Sequence, residues 1–295
     1  MIKGVFAPIP TPFDDNGEIA FDRLQENLSR WADTRLTGLV VLGSNGEFVY
    51  LTDKEKVAVL EATRRHFPGD RPIIAGTGAE STRATIDLTR RAADAGCDAA
   101  LVLTPHYYGG GMTDAALTRF YHDVADASSI PIMLYNMPRN TGLNMSAALV
   151  NRLAQHQNIV GIKDSGGNIV QISQIIDGTP DDFSVFAGSG SFLLPSLVMG
   201  AVGATMAVAN VLPDHCAEIV DQFYAGNLGK AVELQHGIIE ANAAVTSRWG
   251  VPGLKAALDL IGYYGGLPRQ PLLPVTDEDR KELKRILTET GAFRQ

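Results

Sequence analysis

Ile159-Val160-Gly161-Ile162-Lys163-Asp164-Ser165-Gly166-Gly167-Asn168 is a largely β-branched apolar run that ends on a lysine and then breaks into a glycine-containing polar turn. A short run of this kind, bounded by turn residues, reads as a buried strand. Side chains alternate faces along a strand, so Lys163 is expected to share an interior face with Ile159 and Gly161. Removing an ammonium from water without a partner is costly, and the usual response is a depressed pKa. A neutral amine is a nucleophile. One reading of Lys163 is therefore a Schiff-base lysine that attacks a ketone or aldehyde, with Gly161 leaving room for the substrate. The other is a strand-end lysine whose stem packs while its head snorkels to solvent, the commoner fate of such residues.

Similar short runs lie on either side, near residues 4–9, 38–42, 72–75, 99–103, 131–135, 184–187 and 203–208. With 159–163 they make eight strand candidates. Between them lie amphipathic stretches such as 54–66, 82–95 and 114–127, and Thr52-Asp53-Lys54-Glu55 fits a capping box at the start of one. Strand and helix alternating eight times predict a parallel (β/α)8 TIM barrel, with a doubly wound open sheet as the competing architecture. No G-x-G-x-x-G follows the first strand to support the latter. After Val208 only helical patterns remain, at 213–225, 228–244, 253–260 and 277–288. The expected organisation is a barrel over 1–225 and a C-terminal helical extension over 226–295 packed on it. The charge run Asp277-Glu278-Asp279-Arg280-Lys281-Glu282 reads as a solvated helix face.

A chain of 295 residues suits one such barrel with an appendage, since the fold takes about 250 residues. Hydrophobic residues at 45% and charged residues at 20% are globular proportions and leave no stretch to be disordered. A net charge of −8 argues against a nucleic-acid binder, which needs clustered Lys and Arg, but allows a small anionic substrate in a local pocket. Cys97 and Cys216 have neither metal-ligand nor disulfide spacing and read as small core residues. No apolar stretch is long enough to span a bilayer, and a cytoplasmic protein is the expectation.

In a parallel barrel the chemistry sits in the loops after the strands. Those loops carry Gly43-Ser44-Asn45-Gly46-Glu47, Thr104-Pro105-His106-Tyr107-Tyr108, Tyr135-Asn136-Met137-Pro138-Arg139-Asn140 and Lys163-Asp164-Ser165. Schiff-base chemistry on a 2-oxo acid needs an amine, a nearby acid/base and donors for the substrate carboxylate. Tyr135 ends the strand before that of Lys163, and adjacent strands about 4.8 Å apart could bring its phenol to the amine. Ser44 and the backbone N–H groups from Gly43 to Gly46 could cradle a carboxylate. Each residue alone has a plain structural reading: a satisfied barrel tyrosine, a common turn, and packing aromatics in Tyr107 and Tyr108. His106 reads as structural.

Taken in order and spacing, Gly43-Ser44-Asn45-Gly46-Glu47, Tyr135-Asn136-Met137-Pro138 and Gly161-Ile162-Lys163-Asp164 resemble the motifs of the dihydrodipicolinate synthase and N-acetylneuraminate lyase superfamily. The likeness runs from Thr11-Pro12-Phe13 to the C-terminal helices. It implies a (β/α)8 pyruvate-dependent class I aldolase or lyase. Lys163 would form the imine and Tyr135 would shuttle protons, with Ser44 and Asn45 behind the substrate carboxylate. Tyr107 would enter a neighbouring subunit's proton relay. Gly46, Asn140, Ser165 and Thr205 complete the substrate-binding candidates. The resemblance further implies no metal or organic cofactor, and a homotetramer arranged as a dimer of dimers.

The synthase branch typically has two threonines where Ser44 and Asn45 stand, and an arginine where this chain has Asn140. Arg139 is adjacent, but on an extended segment a shift of one residue turns a side chain to the opposite side. Lys163-Asp164-Ser165-Gly166-Gly167, Ala209-Asn210-Val211-Leu212, Asn242-Ala243-Ala244-Val245-Thr246, Val251-Pro252-Gly253-Leu254-Lys255 and Gly262-Tyr263-Tyr264-Gly265-Gly266 instead resemble 4-hydroxy-2-oxoglutarate aldolases. Cleavage of that substrate to pyruvate and glyoxylate is the expectation. The alternatives are condensation of pyruvate with aspartate semialdehyde, another sugar-acid aldolase or dehydratase reaction, and a non-catalytic 2-oxo acid sensor.

Overall fold

The computed structural model describes residues 1–292. The apolar runs form parallel strands β1 (Gly4–Pro8), β2 (Gly38–Val41), β3 (Ile73–Gly76), β4 (Ala99–Leu103), β5 (Ile132–Asn136), β6 (Ile159–Asp164), β7 (Ser184–Ala187) and β8 (Gly203–Thr205). They pair in sequence order, and β8 returns to β1 through Gly4 opposite Gly203 and Phe6 opposite Thr205. The sheet is thus a closed barrel and not an open sheet. Helices α1 (Phe21–Ala32), α2 (Asp53–His66), α3 (Thr82–Asp94) and α4 (Asp114–Asp126) follow the first four strands. Next come the single turn α5 (Pro138–Thr141) and then α6 (Ala147–Leu153), α7 (Ile169–Gly178), α8 (Leu193–Val198) and α9 (Pro213–Tyr224). Beyond them lie α10 (Leu228–Ala243), α11 (Gly250–Leu260) and α12 (Asp277–Glu289).

Period-two alternation divides the strand side chains into two cores. Phe6, Val40, Ile74, Leu101, Met133 and Phe186 fill the barrel, with the Phe6 and Phe186 rings 5.5 Å apart. Ile132, Leu134 and Ile162 face outward to the helices around β4, β5 and β6. Cys97 and Cys216 are buried, and burial pushes both thiols up to about 12, as inert core residues require.

Four expectations about local structure are corrected. On β6 the register shifts: Ile132 pairs with Ile159 but Met133 pairs with Gly161, leaving Val160 as the extra residue of a bulge. Ile159 therefore packs outward with Ile162, while Val160 packs against the barrel interior and Lys163 keeps its inward face with Gly161. Nor does Gly161 leave substrate room. A Cβ there would stand 2.5 Å from the Ser184 carbonyl oxygen, so the missing side chain lets β7 approach. The eighth strand also ends at Thr205 instead of continuing to Val208. Residues Ala207–Asn210 turn as a 3-10 helix, fixed by the buried Asn210 amide donating to the Pro8 and Ala207 carbonyls. Further on, α10 runs into a π-helical turn, Ala244–Arg248, and α11 starts at Gly250 rather than at residue 253.

The capping box of α2 is formed: the Thr52 hydroxyl accepts the Glu55 N–H at 3.3 Å, and Glu55 accepts the Thr52 N–H at 2.7 Å. The same carboxylate pairs with Arg269, whose guanidinium also donates to the Gly17 and Tyr50 carbonyls. These bonds fasten the segment before α12 to the start of α2. Hydrogen bonding to Arg269, opposed by burial, holds the Glu55 carboxyl down to about 2 from its ordinary 4.5. Because the native value is the lower one, this stabilisation is complete above pH 4.5 and is lost as the pH falls toward 2. Glu55→Gln should cost about 2 kcal/mol in urea unfolding at pH 7. The gap between variant and parent should narrow between pH 4.5 and pH 3, and a gap independent of pH would rule out the charge pairing as its source.

Candidate active site

The last inward positions of β5 and β6 are Tyr135 and Lys163, which are register partners. Lys163 is 3% exposed, and its Nζ stands 4.3 Å from the centroid of the Tyr135 ring. The head group does not snorkel. Among the described residues no carboxylate forms an ion pair with it, so the ring face is the polarizable surface it meets. One residue on, the outward-facing partners Asn136 and Asp164 lock the two strand ends. The Asn136 amide donates to Asp164 at 2.8 Å, Gln171 donates to the same oxygen at 3.2 Å, and the Gly166 N–H reaches the other at 2.8 Å. Asn136 in turn accepts the Met145 N–H at 3.0 Å. A fully buried carboxylate with its acceptor sites filled in this way holds the lysine's backbone in place.

Ser44 arrives from the loop after β2, its Oγ 3.3 Å from the Tyr135 Oη. The loop is a 3-10 turn, Ser44–Gly46. Gly46 contributes no free donor, because its N–H is bonded to the Gly43 carbonyl and its own carbonyl accepts the Thr11 hydroxyl. The cradle read from sequence therefore loses Gly46, and the Ser44 and Asn45 N–H groups stand at the open end of the turn.

Ser44 and Asn45 form one wall of a cavity of about 430 Å³. Met137, Arg139 and Asn140 line another side, and Thr246, Arg248 and Trp249 of the π-helical turn and its end close it. Here the sequence expectation about Arg139 is corrected. Pro138–Thr141 is one helical turn with proline at its first position, so successive side chains diverge by about 100° and not by 180°. Arg139 and Asn140 consequently face the same cavity. Arg139 donates to the Ser247 carbonyl at 3.5 Å, and Arg248 lies over the Trp249 ring at 4.2 Å, 3.6 Å from Glu282.

Other candidates are placed differently. The Ser165 Oγ is buried without a hydrogen-bond partner and is not part of the cavity wall; a Cβ on Gly188 would stand 2.0 Å from it. Thr205 ends β8 at a buried position, paired with Phe6. Tyr107 is 78% exposed, stacked edge-on to Tyr108, and makes no hydrogen bond to Ser44 or Tyr135 of its own chain. Its loop is anchored by Glu80, which accepts the His106 and Tyr107 N–H groups at 2.9 Å and faces the His106 ring, in keeping with a structural histidine.

The sequence matches the dihydrodipicolinate synthetase family over residues 1–290. The chain belongs to that family. It is 38% identical to a 4-hydroxy-tetrahydrodipicolinate synthase of Methanothrix thermoacetophila over 98% of this chain and 97% of the relative. It is 34% identical to a probable mitochondrial 4-hydroxy-2-oxoglutarate aldolase of Emericella nidulans, covering 98% and 95% of the two chains. A crystal structure of a dihydrodipicolinate synthase from Bacillus anthracis superposes with a TM-score of 0.94 at 32% identity, over 98% of each chain. The protein is thus a pyruvate-dependent class I aldolase of the lyase class, whose family works through a lysine Schiff base with no external cofactor. Among the described residues no helix is long and apolar enough to cross a membrane.

One group at the site was not assigned a role from sequence. Lys255 is completely buried on α11, with its Nζ 2.6 Å from Glu47 Oε1, in charge contact rather than an aligned hydrogen bond. In the sequence Lys255 is the last residue of Val251-Pro252-Gly253-Leu254-Lys255, and its place in a helical pattern gave no partner for its charge.

Proposed function

We propose that this enzyme cleaves 4-hydroxy-2-oxoglutarate reversibly to pyruvate and glyoxylate. The observation that carries the reading is the composition of the cavity walled by Ser44, whose hydroxyl stands 3.3 Å from that of Tyr135. It is lined by Arg139 and Arg248 and, among the described residues, by no carboxylate. A substrate with a second carboxylate and no amine suits those walls, since an arginine fork matches a carboxylate. Aspartate semialdehyde would bring an ammonium that no acidic side chain of the wall answers. Condensation of pyruvate with that aldehyde is the second reading, favoured by relatives such as the Methanothrix synthase.

In the proposed cycle Lys163 Nζ adds to the C2 carbonyl while the substrate's first carboxylate rests on the Ser44 and Asn45 N–H groups. Tyr135 and Ser44, 3.3 Å apart, pass protons to the departing oxygen, and water leaves to give the iminium. The 4-hydroxyl gives its proton to the same relay, and the C3–C4 bond breaks with its electrons moving into the iminium. Glyoxylate departs, leaving the enamine of pyruvate. Protonation at C3 and hydrolysis release pyruvate and regenerate the amine. Asn45 and Asn140 hold the 4-hydroxyl or distal carboxylate. Tyr107, exposed in its own chain, extends the relay of a second copy within a dimer-of-dimers tetramer.

Borohydride in the presence of pyruvate should attach a stable adduct to the peptide bearing Lys163. Pyruvate release from 4-hydroxy-2-oxoglutarate should exceed turnover with pyruvate plus aspartate semialdehyde; the reverse order would transfer the assignment to the synthase. Arg139→Ala should raise KM for 4-hydroxy-2-oxoglutarate about ten-fold while leaving pyruvate trapping within about two-fold. Equal loss in both would remove Arg139 from the distal subsite. Mixing inactive Lys163→Ala and Tyr107→Phe chains should restore activity once subunits exchange, and verified exchange without recovery would refute the shared relay.

A further inference from the structure

The turn that presents Ser44 is flanked by two non-glycine residues in the left-handed region, Leu42 at φ 60° and Glu47 at φ 54°. Such a conformation is strained for a residue that carries a Cβ and persists only where the surroundings over-determine it. At Leu42 the constraint is close packing: a Cβ on Gly76 would stand 2.1 Å from the Leu42 carbonyl oxygen, and only glycine admits that approach. At Glu47 the constraint is electrostatic. Its side chain is buried, with Oε2 accepting the Arg269 N–H at 2.8 Å and Oε1 against Lys255. Lys255 also donates to the Leu267 carbonyl at 2.8 Å and lies over the Phe13 ring at 4.3 Å. The Lys255 carbonyl is clamped by the chain itself, since a Cβ on Gly265 would stand 1.9 Å from it.

Stability does not account for such a pair. Withdrawing two charges from water costs about as much as their attraction returns, and an apolar pair of similar volume often does as well or better. Burial pushes the Lys255 amine down to about 8, against the upward pull of Glu47 and Asp259. What the pair does determine is the backbone at Glu47, three residues from Ser44. Resting on the reading of Lys163, Tyr135 and Ser44 given above, we propose that Lys255 and Glu47 are positioning residues for imine formation. Their buried ion pair holds the strained turn so that Ser44 Oγ meets Tyr135 Oη and the Ser44 and Asn45 N–H groups face the cavity. Lys255 thereby makes α11 part of the catalytic apparatus without itself touching substrate.

Lys255→Met alone leaves a buried carboxylate unpaired and can fail to fold, so the test uses Lys255→Met/Glu47→Gln, which removes both charges. The readout is the rate of borohydride-trapped adduct formation at saturating pyruvate, in the parent and in a Ser44→Ala background, with thermal unfolding of each protein. The double variant should unfold within a few degrees of the parent yet form adduct about ten-fold more slowly, and in the Ser44→Ala background the same change should cost less than about three-fold, because the two routes of loss are one. An undiminished ten-fold loss in that background, or a folded variant with parental rates, overturns the proposal. A double variant that does not fold assigns the pair a structural role and overturns it equally. Failure of the parent to form any adduct at Lys163 is a distinct result, and it removes the underlying reading together with this one.

Discussion

A lysine amine with no carboxylate beside it, buried against the face of a phenol, is the constraint on which the barrel mouth depends. Lys163 and Tyr135 are held there by strand register and not by any bond between their side chains. That register rests on two features of β6. The bulge at Val160 re-phases the strand so that Ile162 turns to the helices and Lys163 to the interior. The Asp164 carboxylate, saturated by Asn136, Gln171 and the Gly166 N–H, then fixes where the strand ends. A slip of one residue would exchange the lysine for an isoleucine or a carboxylate.

Around that pair the site is assembled from distant segments, each with its own means of being held. The turn after β2 is strained and braced by an ion pair from α11. The turn after β5 is helical because proline opens it, and this brings Arg139 and Asn140 to one cavity. The π-helical turn between α10 and α11 supplies the opposite wall. The brace on the turn after β2 is polar and buried, which suits a group that must be positioned rather than merely packed. In the proposed cycle imine chemistry falls on rigid strand ends and substrate selection on the loops and the extension, as barrels of this kind allow.

The family assignment and the site geometry speak to different parts of the reaction. Membership settles the pyruvate imine. The second substrate is a matter of the cavity walls, where two arginines and the absence of an acidic lining residue among those described favour a dicarboxylate. Ser44, Asn45 and Met137 lie within the motifs that carry the family likeness, but Arg139 and Arg248 lie outside them, so relatives of similar overall identity can differ at the arginines.

Much of this was legible in the chain alone. Eight apolar runs with intervening amphipathic stretches pointed to parallel strands with crossover helices, because such strands need both faces buried, while the pairing of β8 with β1 decided the closed barrel over an open sheet. The capping box at Thr52 and Glu55 was readable because its partners are three residues apart. Lys163 and Tyr135 were readable because a strand's period places them on one face near its end. Only the tertiary structure decided the rest. The bulge at Val160 depends on how β5 meets β6, and alternation within one strand cannot reveal it. The facing of Arg139 depends on backbone dihedrals after Met137, where an extended and a helical segment send the same residue to different sides. The pairing of Glu47 with Lys255 joins residues more than two hundred positions apart, and no local pattern encodes a charge contact whose partners meet only when the extension closes on the barrel.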